Sequence, residues 1–330
     1  MLATVGVASV GVLWWRSIGA ATVALPKPRG PSAVGLDVYD WTDTSRNREL
    51  MVFVWYPAQV PVGSRAEYLS PKWRELAKSK LLPEVSGAAL EHAPMANRQF
   101  PLLVLLPGMG GIPTDYTTIA EDLASFGYIV VGIAPTGSSR VVVFSNGRVV
   151  RGTDGIDLEQ RPAQQPVVER WQTDCSFVLG RILAESQWRL YIDQSRVGVF
   201  GHSFGGAVAL HVLQNDSRFR RAANLDGAPQ GSAITHLDRP VLFFNGAPLP
   251  ASQQALNDKI LGEMRAICQS DTAGCEWKDY SEAGHMNFSD RGAMPLAWPL
   301  PKSHFELTNI DGVAFLRRVA TDLSAFFGQM

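Results

Sequence analysis

One stretch, residues 195–213 (SRVGVFGHSFGGAVALHVL), constrains this chain more than any other. It indicates a short apolar strand, a glycine-rich turn and a helix with apolar residues at helical spacing. The segment 201–205 fits G-x-S-x-G, a pattern that holds a serine in a strained turn between strand and helix. A side chain at Gly201 or Gly205 would collide with the neighbouring strand or helix. The pattern predicts that Ser203 is a nucleophile; the alternative is a turn whose serine only caps the helix.

Strand and helix patterns alternate along the rest of the chain. Strands are predicted at 33–39, 49–56, 100–106, 128–133, 221–225, 240–244 and 276–280, and helices at 114–126, 167–185, 253–268 and 312–327. This alternation predicts an α/β fold in which helices cover both faces of a mostly parallel sheet. In such sheets the site lies at the carboxyl ends of the strands.

Two segments depart from this alternation. A small hairpin is expected within 140–152, around Asn146 and Gly147. Residues 58–98 are mixed, with one amphipathic piece near 72–82, and we expect them to cover an edge of the sheet or the site.

Composition limits the class of protein. The 330 residues are 46% hydrophobic, enough for a large core, and the net charge of −1 without any Lys/Arg cluster excludes a nucleic-acid partner. Residues 1–25 are apolar except for Arg16 and are predicted to be a signal or membrane-anchor segment, which favours an exported or anchored protein. The alternative is an N-terminal element packed on the domain. The proline-rich residues 26–31 then mark the start of a single catalytic domain, 26–330.

The three cysteines leave a question open. Cys268 and Cys275 flank a turn-like stretch, so a local disulfide could form there and would favour an oxidising compartment. Cys175 lies in a helical pattern and is expected to be a buried small hydrophobe. Because the chain has no C-x-x-C pair and no His/Cys cluster, no metal site is predicted.

A serine nucleophile needs a base, and in this architecture the order along the chain is serine, acid, histidine. Among the six histidines, only His285 and His304 follow a late strand and precede the final helix. We assign His285 as the base, because it comes directly after a strand, and keep His304 as the alternative. His202 is expected to pack beneath the turn and His211 to be structural.

The acid should end a strand between the serine and the histidine. The strand that ends near Asn245 offers no carboxylate, whereas the preceding strand ends at Asp226. Asp226 is therefore assigned as the acid, against the alternative of a plain strand-terminating turn. Asp238 and Asp258 are expected to be solvated.

An ester-cleaving serine also needs two backbone donors for the oxyanion. The N–H of Phe204, directly after the serine, is one candidate. The glycine-rich loop 108–111 after strand 100–106 supplies the other, for which we choose Met109. A phosphate-binding loop is the rival interpretation, but neither G-x-x-x-x-G-K-[ST] nor G-x-G-x-x-G is present.

These residues resemble the α/β-hydrolases related to plasma-type (isoform II) platelet-activating factor acetylhydrolase, including bacterial relatives. The resemblance rests on LPKPRGPSAVG (25–35), RELMVFVWYPA (48–58), LLPGMGG (105–111), GHSFGG (201–206), NLDGAP (224–229), GHMNFSD (284–290) and the tail 309–327. Arg29 and Ser32 replace the usual Thr and Tyr, and Pro107 stands where animal members have His. Residues 58–98 match no part of the family pattern.

The resemblance implies a calcium-independent, cofactor-free serine esterase that prefers short or oxidised acyl chains. Its substrate would be a small ester or a phospholipid with an sn-2 acetyl group, and the enzyme could associate with a membrane surface. We therefore expect hydrolysis through an acyl-enzyme on Ser203. The alternatives are a polyester or cutinase-like hydrolase, a general small-ester esterase, and a non-catalytic binding protein of the same fold.

Overall fold

The computed structural model describes residues 22–76, 84–294 and 302–330. Its strands are β1 Thr22–Ala24, β2 Ala33–Asp43, β3 Arg48–Ala58, β4 Arg65–Glu67, β5 Glu84–Glu91, β6 Phe100–Leu106, β7 Ile129–Ala134, β8 Val141–Val143, β9 Val149–Arg151, β10 Ile192–His202, β11 Arg221–Leu225, β12 Val241–Asn245 and β13 Cys275–Asp279. Its α-helices are α1 Pro71–Leu76, α2 Thr117–Ser125, α3 Gln165–Ala184, α4 Ser186–Arg189, α5 Phe204–Asn215, α6 Gln254–Ser270 and α7 Gly312–Phe327.

Eleven of these strands form one sheet in the order β1-β5-β2-β3-β7-β6-β10-β11-β12-β13, with β4 paired to β5. From β7 to β13 every neighbouring pair is parallel, whereas β3 runs antiparallel to both β2 and β7. Strands β8 and β9 form the separate hairpin that Asn146 and Gly147 predicted. The prediction of a mostly parallel sheet is confirmed.

Helices cover both faces of the sheet. Helices α2 and α7 pack on one face around Leu103 and Leu105, and α3, α5 and α6 pack on the other around Leu102 and Val104. Because β6 is covered on both sides, it needs apolar residues at every position rather than alternate ones, and this explains the run FPLLVLL. Each such buried side chain stabilises the fold by about 1.5–3 kcal/mol.

The predicted elements of this central region agree closely with the structure. Strands β6 and β11 and helix α7 have the predicted bounds, and the other strands and helices shift by only a few residues at their ends. Strand β2 extends to Asp43 rather than ending at residue 39, because its antiparallel pairing with β3 continues down to Arg48.

The region 58–98 contains more sheet than the sequence indicated. The helical piece predicted at 72–82 corresponds to α1, and its residues 77–82 lie outside the described part of the chain. Strands β4 and β5 were not predicted, and β5 extends the sheet beyond β2. A Cβ added to Gly87 would lie 2.4 Å from Glu121 Oε1, so this glycine admits a carboxylate that accepts the N–H groups of Ala88 and Ala89 at 2.8–2.9 Å.

The N-terminal segment was expected to end at residue 25. Residues 1–21 of it lie outside the described chain, and Thr22–Ala24 form β1, paired in parallel with β5. Arg29 then binds Asp122 of α2 at 2.5 Å. In the described residues we find no helix long and apolar enough to cross a membrane.

The disulfide question is resolved at the opposite edge. Cys268 at the end of α6 is bonded to Cys275 at the start of β13, with 5.3 Å between the Cα atoms. Cys175 is a free, buried thiol in α3, as expected.

Candidate active site

The elbow at Ser203 joins β10 to α5 through a strained residue. Ser203 has φ 55° and ψ −123°, a backbone conformation that residues other than glycine rarely adopt. An added Cβ on Gly201 would lie 2.3 Å from the backbone of Gly205, and one on Gly205 would lie 2.3 Å from the carbonyls of Leu106 and Pro107. The predicted collisions are confirmed: both glycines are required for the close approach of β10, α5 and the end of β6.

Asp226 and His285 meet beside this turn. Asp226 follows β11, and its Oδ2 lies 2.6 Å from His285 Nδ1, while its Oδ1 accepts the N–H of Gly246 at 2.7 Å. Burial alone would lower the pKa of His285, but the hydrogen bond and charge of Asp226 outweigh it, so the pKa is raised above its ordinary value. With the Nδ1 proton held by Asp226, Nε2 of the neutral ring is left as a proton acceptor.

Asn224 shapes the turn that carries Asp226, although no role was predicted for this residue. This fully buried side chain accepts the N–H of Gly227 at 2.8 Å and donates to its carbonyl at 2.9 Å. The turn thereby holds Asp226 at φ 53°. The signal was present in the sequence: an asparagine inside an otherwise apolar buried strand must find hydrogen-bond partners.

His202 packs beneath the turn, as predicted, and its partners connect three loops. Its Nε2 lies 2.9 Å from the carbonyl oxygen of His285, so Nε2 is the donor, and Nδ1 accepts from the hydroxyl of Tyr116 at 2.8 Å. The same hydroxyl accepts the N–H of Gly108 at 2.9 Å. Burial, followed by the charge of His285, holds the pKa of His202 well below its ordinary value, so His202 remains neutral and keeps this tautomer.

Within the part of the chain that the structure describes, one N–H of the loop after β6 has no protein acceptor. Gly108 donates to Tyr116, Gly110 to the carbonyl of Ser138 at 3.0 Å, and Gly111 to the carbonyl of Gly108 at 2.9 Å. The N–H of Met109 donates to no described residue. The N–H of Phe204 is the first of α5 and has no acceptor within the helix. An added Cβ on Gly108 would lie 3.4 Å from Ser203 Cβ, so this loop passes directly against the serine.

A buried carboxylate anchors the loop that carries His285. Asp290 is 1% exposed and accepts the N–H groups of Thr117 and Thr118 at the start of α2, at 2.9 and 3.0 Å. Its burial raises its pKa to about 8. No sequence pattern predicts this contact, because the two partners are more than 170 positions apart.

The remaining candidates lie elsewhere. His211 Nε2 is bonded to the carbonyl of Gln230 at 2.8 Å and is structural, as expected. Asp238 pairs with Arg239, and Asp258 accepts from Gln254 on the surface of α6. His304 belongs to the short 3-10 helix Lys302–Phe305, and its side chain lies outside what the structure describes. Across the described ranges, no three His, Cys, Asp or Glu side chains are grouped to hold a metal ion.

The chain is similar in sequence to one family of esterases and to curated relatives with corresponding names. Residues 167–291 match the model of the family platelet-activating factor acetylhydrolase, isoform II. The platelet-activating factor acetylhydrolase of Canis lupus familiaris is 26% identical over 268 residues, 67% of this chain and 60% of that protein. A probable 1-alkyl-2-acetylglycerophosphocholine esterase of Arthroderma benhamiae is 27% identical over 241 residues, 64% of this chain and 60% of that protein. The chain thus spans 60% of the length of these curated relatives.

A solved structure matches over nearly the whole chain. The ferulic acid esterase from Streptomyces cinnamoneus superposes with a TM-score of 0.80 and is 30% identical, covering 94% of this chain and 93% of that one. Sequence and fold agree: the chain is an α/β-hydrolase, and its resemblance to the platelet-activating factor acetylhydrolase, isoform II, family is confirmed over residues 167–291.

Proposed function

We propose that this protein hydrolyses carboxylic esters through an acyl-enzyme on Ser203. The observation that carries the proposal is the 2.6 Å contact between Asp226 and His285 beside a serine held in a strained turn. In the first step His285 Nε2 takes the proton of Ser203 Oγ, Oγ bonds to the ester carbonyl carbon, and the protonated histidine then gives its proton to the leaving alcohol. Water repeats the sequence in the second step and releases the acid.

The negative charge that develops on the carbonyl oxygen needs donors already in place. The N–H groups of Met109 and Phe204 have no protein acceptor among the described residues, and both belong to segments next to Ser203. We assign them as the oxyanion hole. Backbone donors suit this role because they are held by the fold and do not reorganise during the reaction.

Two substrate classes follow from the relatives. The family match and the dog and fungal proteins favour esters with a short acyl group, such as a phospholipid that carries an sn-2 acetyl group. The structural match over the whole chain to a ferulic acid esterase favours hydroxycinnamate esters as a second candidate. Values of kcat/KM for a 1-alkyl-2-acetyl glycerophosphocholine, for methyl ferulate and for p-nitrophenyl esters of increasing acyl length separate the two classes. A preference for long acyl chains or for a polyester film would contradict both.

The role of Ser203 is tested by Ser203→Ala, assayed on p-nitrophenyl acetate. We expect a loss on the order of 10³-fold or more in kcat, because the alanine cannot form the acyl-enzyme. The matched control is Ser195→Ala, an exposed serine of the same strand β10, which should keep the wild-type rate. A fluorophosphonate probe should label the wild type at Ser203, with loss of fluoride, and should not label the Ser203→Ala variant. Equal hydrolysis rates in wild type and Ser203→Ala would sink the proposal.

We further propose that the protein works in an oxidising compartment, which fits export or attachment to the outer side of a membrane. The support is the Cys268–Cys275 disulfide, because such bonds persist outside the reducing cytosol. Protein taken from the native host is alkylated with a thiol reagent before and after reduction. Cys268 and Cys275 should react only after reduction. Alkylation of Cys268 without prior reduction would contradict this location.

A further inference from the structure

The two assigned oxyanion donors belong to different elements. Phe204 begins α5, whereas Met109 lies in the loop after β6. A hydrogen bond to the oxyanion is effective only if both donors keep their positions to within a fraction of an ångström. Some contact must therefore hold these two segments in fixed positions relative to each other. The elbow glycines provide such a contact only at the backbone of α5.

Trp171 contacts the first of these segments. It lies on α3, is 1% exposed, and its ring meets the ring of Phe204 edge to face, with 5.0 Å between the centroids and an interplanar angle of 70°. Phe204 is also 1% exposed. The side chain of the residue that supplies one donor is thus fixed by an aromatic contact from a neighbouring helix.

The same indole reaches the second segment through Ser138. Its Nε1–H donates to Ser138 Oγ at 2.8 Å in a buried hydrogen bond. The backbone carbonyl of Ser138 accepts the N–H of Gly110, and the N–H of Arg140 donates to the carbonyl of Gly110, each at 3.0 Å. Gly110, at φ 77°, directly follows Met109, so this pairing holds in place the backbone next to the Met109 N–H.

Ser138 is itself held from the other side. Its hydroxyl donates to Asp154 Oδ2 at 2.5 Å, and Asp154 forms an ion pair with Arg170, the residue before Trp171. Two consecutive residues of helix α3, Arg170 and Trp171, therefore hold the loop that pairs with Gly110. A phenylalanine could fill the space of the indole, but only tryptophan carries an N–H at this place.

We propose that Trp171 is a positioning residue for the oxyanion hole: it joins Phe204 to the Ser138–Gly110 pairing and so keeps the two backbone donors in register. This rests on the proposed ester hydrolysis. Trp171 does not touch the reacting atoms; it acts through Phe204 and Ser138. The contribution is to the transition state, in which the oxygen carries the charge, and not to the binding of the neutral ester.

The test uses Trp171→Phe and Ser138→Ala, with Trp188→Phe as the matched control. Trp188 is also 1% exposed, and its Nε1–H donates to Tyr39, away from the elbow, at 3.3 Å. Each protein is assayed with an oxoester and with the corresponding thionoester, and its melting temperature is recorded. Sulfur accepts hydrogen bonds weakly, so hydrolysis of the thionoester depends less on the oxyanion donors.

We expect Trp171→Phe and Ser138→Ala each to lower kcat for the oxoester about tenfold with KM unchanged, a part of the 10²–10³-fold loss for a missing donor. The ratio of oxoester to thionoester rates should fall by a similar factor. The double variant should lose less than the product of the two single losses, since both act on one contact. Trp188→Phe should keep the wild-type kcat and the wild-type ratio.

Three results would overturn the proposal: an unchanged oxoester to thionoester ratio, a rise in KM with kcat unchanged, or the same kcat loss in Trp188→Phe. If Trp171→Phe does not fold, Ser138→Ala decides, because it removes the acceptor without leaving a large cavity. Failure of the proposed function is distinct. In that case the wild type would hydrolyse no ester faster than Ser203→Ala, whereas an active wild type with unaffected variants rejects the inference alone.

Discussion

The catalytic end of the central strands and the β1–β5 edge of the same sheet are held together in different ways. At the centre, β6, β10 and β11 are covered on both faces. Glycines allow the backbone of the elbow to pack directly against the backbone at the end of β6. At the edge, the contacts are buried carboxylates on backbone N–H groups, such as Glu121 on Ala88 and Ala89 of β5. The turns at the centre are therefore set by local sequence, whereas β5 at the edge is held by a single long-range carboxylate.

The difference predicts that substitutions at the two places separate activity from stability. A change at the centre that preserves shape should remove catalysis and leave the fold intact, because the turn geometry does not depend on the reacting atoms. A change at the edge should weaken the fold and leave the rate of small-ester hydrolysis almost unchanged, because β5 is separated from β10 by four strands of the sheet.

The largest effect is expected for Asp226→Asn. The amide is nearly isosteric but cannot hold the proton on His285 Nδ1 as a carboxylate does, so the neutral ring is no longer kept in the tautomer whose Nε2 accepts a proton. The protonated ring also loses the negative charge that stabilises it. By analogy with other triads we expect kcat to fall about 10⁴-fold. Thermal denaturation should show a melting temperature within a few degrees of the wild type. A variant that keeps a tenth of the activity would show that Asp226 is a structural turn residue and not the acid.

A smaller effect, in stability rather than rate, is expected for Glu121→Ala. Removal of this carboxylate leaves the half-buried N–H of Ala88 and the buried N–H of Ala89 without their acceptor, which costs about 1–3 kcal/mol of unfolding free energy. Urea denaturation measures this loss, and kcat on p-nitrophenyl acetate should stay within about twofold of wild type. Glu75→Ala, an exposed glutamate on α1 of the same edge, is the control and should be neutral. A large loss of kcat would mean that the edge and the centre are coupled.

The same contrast explains what could be predicted from the sequence. The bounds of β6, β11 and α7, the collisions at Gly201 and Gly205 and the buried position of His202 were all predictable, because short-range patterns set them. The sequence also brought Asp226 and His285 into consideration, through chain order and the absence of a carboxylate near residue 245. The structure then places these two side chains in contact.

The partners of the site could not be predicted in the same way. Nothing local indicates that Tyr116 and His202 share a hydrogen bond across 86 positions, or that Asp290 caps α2 across 173 positions. Strand β5 was not predicted because six of its eight residues (EVSGAALE) are serine, glycine, alanine or glutamate and carry no strand pattern. Its position depends on the carboxylate of Glu121, which a reader of the sequence has no reason to connect to it.

The smallest effects are expected from pH. As the pH rises, the activity that depends on the centre should rise, whereas the free energy of unfolding that depends on the edge should fall. Asp226 raises the pKa of His285 above its ordinary value of 6.5, and only the neutral ring can accept the proton of Ser203. Activity should therefore fall as the pH drops through that raised pKa, which lies above 6.5. In Asp226→Asn the acidic limb of the residual activity should move to lower pH.

At the edge, the quantity that changes with pH is the free energy of unfolding, and it should fall as the pH rises. Burial raises the pKa of Glu121 from 4.5 to about 7, so the folded state binds a proton more tightly than the unfolded state does. The stability that this proton brings is complete below pH 4.5 and is lost as the pH rises towards 7. Unfolding free energy measured from pH 4.5 to 8 should decline in the wild type, and Glu121→Gln, which cannot ionise, should flatten the decline. Asp290, with a pKa of about 8, contributes in the same direction and keeps a residual slope in that variant. If instead the slope is the same in both proteins, Glu121 is already ionised in the fold, and the three hydrogen bonds from Ala88 and Ala89 outweigh the cost of its burial.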